Sequence, residues 1–238
     1  MTATVATDLA ARVAAVRDRI RAAAPDPDLV RLVAVTKGFG ADVVRAVLDA
    51  GVPDVGESYV QELVAKAAEL EAAGAPDAGS GRPGERAWPR WHFVGRLQRN
   101  KVRKAAPHVA LWHSVDRLSV GAEIARVAPG AAVLVQVNTS GEEAKGGCTP
   151  AMAPAVVDGL VDLGLDVQGL MAMAAAGPPE GARPAFHAAR ELRDRLGLPE
   201  LSMGMSDDLD VALQEGATIV RVGRGLFGPR PRRDGARH

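Results

Sequence analysis

Residues 29–42 read LVRLVAVTKGFGAD. An apolar, valine-rich run of strand length stops at Thr36, Lys37 and Gly38, and a helical pattern opens at Ala41 and Asp42. Such a strand–loop–helix unit starts either a doubly wound open sheet or a closed α/β barrel. The open nucleotide-binding sheet carries G-x-G-x-x-G in this first turn, and VTKGFGAD has no such spacing. Further short apolar runs follow at 52–56, 91–95, 110–115, 131–138, 165–173, 201–205 and 218–223, separated by stretches with helical periodicity. Val43, Val44, Val47 and Leu48 form one helical face, and Phe186, Ala189, Leu192 and Leu196 another. Gly51, Gly74, Gly164, Gly197 and Gly216 stand where helix C-caps belong. Alternating strands and helices in a chain of this length predict a single (β/α)8 TIM barrel. Leu9, Val13, Val16 and Ile20 add an extra N-terminal helix over 9–24. Residues 1–228 read as one barrel domain. The stretch 74–90 reads as a Gly/Pro/Ser-rich surface loop, and the basic, proline-broken 229–238 as a disordered tail.

Composition narrows the class. The chain has 238 residues, 47% hydrophobic and 24% charged, which places it among globular proteins. Lys plus Arg and Asp plus Glu each total 29, so no net charge draws it to nucleic acid or a membrane surface. Cys148 is the only cysteine, which excludes an internal disulfide and any multi-cysteine metal site. No apolar run reaches the roughly 20 residues of a membrane span, and MTATVATDLA lacks the pattern of a secretory signal. The expectation is a cytoplasmic monomer without a metal site, a nucleic-acid partner or a membrane partner. The run Arg96, Arg99, Lys101, Arg103 and Lys104 has no interleaved aromatics and reads as a solvated helix face.

Barrels place their chemistry at the C-terminal ends of the strands. That rule selects Lys37, Glu57 with Ser58, Arg96, Asn138, Met173, Ser206, and Gly223 with Arg224. A lysine in a partly apolar site loses its proton more readily and can condense with an aldehyde. The bland alternative is a strand-end lysine paired with Asp42 or Glu57. Ser206 reads as the N-cap of a helix whose first turn holds Asp207 and Asp208. Gly223 and Gly225 let backbone approach an anion, and Arg224 adds charge. Arg221 points inward if Val220 and Val222 face the helices. It then pairs with an acid at a strand end, or faces a ring nitrogen or anion. His92 reads as a core histidine, and Met171 and Met173 as barrel fillers, with Met173 placed to pack on a cofactor ring. An aldehyde-capturing lysine, a phosphate cradle and a ring-facing arginine together describe a site for pyridoxal 5′-phosphate.

Eight motifs in order carry a resemblance that runs from about residue 31 to residue 228. They are AVTK (34–37), DVGESYVQEL (54–63), WHFVGRLQRNK (91–101), HSVDRL (113–118), VNTSGEEAKGG (137–147), GLMAM (169–173), LSMGMSDD (201–208) and VRVGRGLFG (220–228). The sequence resembles the YggS/PROSC family, the pyridoxal phosphate homeostasis proteins. The resemblance implies an internal aldimine on Lys37, phosphate contacts at Ser206, Gly223 and position 224, and Arg221 at the pyridine nitrogen. This chain has Gly56-Glu57-Ser58 where the family usually has Gly-Glu-Asn, and Arg224 where it often has Thr or Ser. The implied role is to hold the cofactor and pass it on, by transimination with amino acids or apo-enzymes. An amino-acid racemase is one alternative. The related racemases draw a second base from a tyrosine on an added β domain, whereas this chain's only tyrosine, Tyr59, starts the helix after the second strand. An aldolase forming a Schiff base with a phosphosugar is another. The expectation is a cofactor-binding protein without efficient turnover.

Overall fold

The computed structural model describes residues 3–74, 88–142 and 145–229. Eight parallel strands close into a barrel in chain order: β1 (Arg31–Val35), β2 (Asp54–Glu57), β3 (Arg90–Phe93), β4 (Val109–Val115), β5 (Ala132–Val137), β6 (Asp166–Ala172), β7 (Glu200–Ser202) and β8 (Ile219–Val222). Closure comes from β8 against β1, with Leu32 opposite Val220 and Val33 opposite Arg221. Helices α2 (Ala41–Asp49), α3 (Val60–Ala72), α4 (Arg99–Ala105), α5 (Leu118–Val127), α6 (Ala153–Asp162), α7 (Arg183–Arg195), α8 (Leu209–Gln214) and α9 (Arg224–Phe227) follow the strands in turn. The extra helix, α1 (Ala3–Ala23), precedes them. The five glycines expected at helix C-caps all have positive φ, a conformation in which a β-carbon is strained.

The strand period of two divides the core. Ala34, Val133, Val135, Leu170, Val220 and Val222 face the helices, while Val33, Leu111, Leu134, Met171 and Ile219 fill the barrel interior. Met173 packs against the interior set from above. The interior has little spare room at β2: a β-carbon on Gly56 would lie 3.0 Å from Val33 Cγ1 and 3.1 Å from Val35 Cγ2. Polar side chains also enter the interior, where His92, His113, Ser202 and Arg221 form a hydrogen-bonded series. Arg221 is therefore inward-facing, as its position between Val220 and Val222 predicts.

Three boundaries differ from expectation. β2 starts at Asp54, after Pro53. β7 is short, because Gly204 adopts φ 89° and turns the chain after Ser202. α8 starts at Leu209 with Asp208 at the N-cap, so Ser206 is not the cap. Helix α1 buries Leu9, Val13, Val16 and Ile20, and packs on α2, α8 and α9. No helix among the described residues is long and apolar enough to cross a membrane. Residues 75–87 of the expected surface loop and 230–238 of the expected tail lie outside the described residues.

Candidate functional site

A cavity of about 460 Å³ opens where the strands end. Of the residues selected above, Lys37, Ser58, Met173, Ser206, Arg221, Gly223 and Arg224 line it. Glu57, Arg96 and Asn138, selected by the strand-end rule, do not. Lys37 is half-buried, one residue beyond a fully buried Thr36. Thr36 is held from two sides. Its backbone N–H donates to Gly56 O at 3.0 Å, and its hydroxyl donates to Glu57 Oε1 at 2.6 Å. The Lys66 ammonium, reaching in from α3, donates to Thr36 O at 2.8 Å and pairs with Glu57. Burial pushes the Glu57 carboxyl up, against the opposing pull of Lys66 and the Thr36 hydroxyl. The first turn after β1 is thereby pinned from beneath. Its next turn is tied to α3 by Gly38 N–H donating to Glu62 Oε2 at 2.7 Å.

The opposite wall joins the turns after β7 and β8. Gly225 N–H donates to Ser206 Oγ at 2.9 Å. A β-carbon on Gly225 would lie 3.1 Å from Val222 Cγ1, a tight contact, and 3.4 Å from Ser206 Oγ. The acidic residues beside Ser206 are engaged elsewhere. Asp208 accepts from Met205 N–H at 2.6 Å, and Asp207 pairs with the exposed Arg224. Phe39 and Phe227 close the rim between β1 and β8, with ring centroids 5.2 Å apart. At the floor Arg221 is buried, donating to Ser202 Oγ at 2.6 Å and to Ala172 O at 3.1 Å. Burial pushes it down to about 10, which leaves it cationic at neutral pH. The cavity thus carries an amine on one wall, a hydroxyl-and-backbone turn pair on another and a buried cation beneath. That donor set fits a small anionic carbonyl compound. Among the described residues no group of three His, Cys, Asp or Glu is placed to hold a metal ion.

The alanine racemase N-terminal domain family matches residues 8–231. The pyridoxal phosphate homeostasis protein of Pseudomonas aeruginosa is 42% identical over 238 residues, covering 95% of this chain and 96% of the relative. The chain belongs to the YggS/PROSC family. Among solved structures, a protein of unknown function from Bifidobacterium adolescentis superposes with a TM-score of 0.84 at 36% identity, over 95% of this chain and 97% of that one. PipY of Synechococcus elongatus PCC7942, solved with PLP bound, superposes with a TM-score of 0.77 at 34% identity, over 92% of this chain and all of that one.

Two features of this YggS/PROSC protein were not anticipated from its sequence. The first is the Glu57–Lys66 pair: Lys66 looks like any helical lysine until α3 is laid on β2. The second is His113, whose strand signal in ALWHSV marks burial but not its partners. The guanidinium of Arg224, expected to add charge to an anion cradle, pairs here with the exposed Asp207.

Proposed function

We propose that this protein binds pyridoxal 5′-phosphate, with Lys37 as the amine that bonds the aldehyde carbon, and serves in PLP homeostasis by holding the cofactor and releasing it to other amines. The observation that carries this reading is the convergence on one cavity of Lys37, the Ser206–Gly225 turn pair and the buried cation Arg221. The family membership and the PLP-bound state of PipY support it. When bound, the cofactor supplies an electrophilic aldehyde on an electron-withdrawing ring. Ser206 and the backbone at Gly223 and Arg224 would take the phosphate, Met173 would pack on the ring, and Ser58 would face its edge. Arg221 would donate to the ring nitrogen. A positively charged donor there disfavours ring protonation and so weakens the ring as an electron sink. Tyr59, half exposed at the start of α3, does not line the cavity and offers no second base. Both features favour storage over racemisation. Release is then set by mass action, through an amino acid or an apo-enzyme lysine that displaces Lys37.

The test is an absorption spectrum. Wild type mixed with PLP should show a visible band, and borohydride should fix the cofactor's mass on the Lys37 peptide. Lys37→Ala should lose both. Unchanged labelling in Lys37→Ala rejects the assignment, and sustained turnover of any amino acid rejects the storage role.

A further inference from the structure

The cavity floor is one end of a line of polar side chains that crosses the barrel interior. Arg221 Nη1 lies 2.6 Å from Ser202 Oγ, and Ser202 Oγ lies 2.9 Å from His113 Nδ1. His113 Nε2 lies 2.8 Å from His92 Nδ1, and His92 Nε2 lies 2.9 Å from Asp54 Oδ1. Five strands, β8, β7, β4, β3 and β2, each contribute one member, and none is more than 5% exposed.

The two ends fix the direction of every bond. A guanidinium only donates, and an ionised carboxylate only accepts. Burial alone would raise the Asp54 carboxyl, but hydrogen bonds from His92 and Arg90 outweigh it and hold Asp54 below its usual range. Arg90 reaches Asp54 with two nitrogens, at 2.9 and 2.6 Å. Starting from Asp54, His92 must donate through Nε2, so its Nδ1 accepts from His113 Nε2–H. His113 Nδ1 then accepts from the Ser202 hydroxyl, whose lone pairs are left to face Arg221. Both imidazoles are neutral in this arrangement, and each link carries one proton. An extra proton on His92 would set two N–H groups against each other. Arg31, paired with Glu200 at 3.1 Å, adds further positive charge near both rings.

The arrangement matters because Arg221 is an unusual buried cation. Among the described residues no carboxylate lies within ion-pair distance of it, and its named acceptors are a hydroxyl and the Ala172 carbonyl. A lone serine hydroxyl can rotate and present its proton instead of its lone pairs. We propose that His113, oriented in turn by His92 and Asp54, is a positioning residue: it accepts a hydrogen bond from the Ser202 hydroxyl and thereby holds the Arg221 guanidinium at the cavity floor as a fixed donor to the ring nitrogen of the bound cofactor. This rests on the PLP reading given above.

The experiment compares full-length wild type with Ser202→Ala, His113→Leu and His113→Asn. PLP affinity and the position of the bound-cofactor absorption band are measured, with circular dichroism and a thermal melt to confirm folding. Losing a hydrogen bond to a charged group changes binding by roughly tenfold or more, so Ser202→Ala and His113→Leu should weaken PLP to that extent and move the band. His113→Asn, whose amide oxygen can still accept from Ser202, should bring affinity and band back towards wild type. If His113→Leu does not fold, Ser202→Ala decides alone, since it removes one oxygen. Folded variants with wild-type affinity and band overturn the positioning role while leaving PLP binding intact. A wild type that shows no PLP band overturns both.

Discussion

At the scale of single residues, Lys66 carries a consequence that its place in the sequence does not advertise. Its side chain is 6% exposed and its partner Glu57 is fully buried. Removing the ammonium leaves a carboxylate without its counter-charge in the dry layer under the Lys37 turn. Truncating one member of a buried pair is destabilising by about 3 kcal/mol or more, whereas replacing both with neutral groups of similar volume is much milder. Lys66→Met should therefore lower the unfolding free energy measured by urea denaturation by that amount, and adding Glu57→Gln should recover most of it. A single variant within about 1 kcal/mol of wild type would show that the pair is not buried as described. Cys148 makes a simpler case. Burial pushes its thiol up to about 11, and only the thiolate reacts. Native protein should resist a thiol reagent at pH 8 and titrate one thiol after unfolding in urea; rapid native labelling would contradict the buried placement.

At the scale of elements, what could be read in advance follows from how local the signal is. The stripe Leu9, Val13, Val16 and Ile20 repeats at helical spacing within one segment, and α1 buries all four. The strand assignments rest on the same kind of local period. The turn at 205–208 does not. Ser206, Asp207 and Asp208 can each cap a helix, and Arg224 and Gly225, at the start of α9, engage Asp207 and Ser206 and leave Asp208 at the N-cap. Two contrasting variants of α1 test the division of labour on this element. Val13 is 2% exposed in the interface, so Val13→Asp buries an unpaired charge and should cost about 3 kcal/mol or more. Arg19 reaches Asp210 at 2.9 Å from a side chain 40% exposed, so Arg19→Ala should cost less than about 1 kcal/mol. Urea unfolding of the two variants checks both; equal losses would mean that the arginine tethers, not the apolar stripe, hold α1.

At the scale of the whole molecule, the barrel rule located the cavity without any contact information, because closing eight parallel strands in chain order brings their C-terminal ends to one rim. It could not locate the polar line through the interior. That line depends on which inward positions of β2, β3, β4, β7 and β8 stand at the same height, and register is a property of the closed sheet. The line also sets how the fold responds to acid. His92 and His113 are both held below the ordinary histidine value of 6.5, in each case chiefly by burial. Between that value and their folded values the unfolded chain binds more protons than the folded one, so stability falls as pH falls. Each such proton is worth about 1.4 kcal/mol per pH unit, and two give up to about 2.7. Glu57 works in the opposite sense, since its raised carboxyl takes up a proton in the folded chain first and adds stability as pH drops towards 4.5. Asp54, lowered from 3.8, is lost only in stronger acid. Below about 6.5 the two histidines pull stability down, and the urea midpoint should decline as the pH falls through that value. In His113→Asn one of the two titrating rings is gone, and the decline should be less steep. A flat profile in wild type, or an unchanged slope in the variant, would mean that these imidazoles are not buried and neutral, and the directed line from Asp54 to Arg221 would lose its basis.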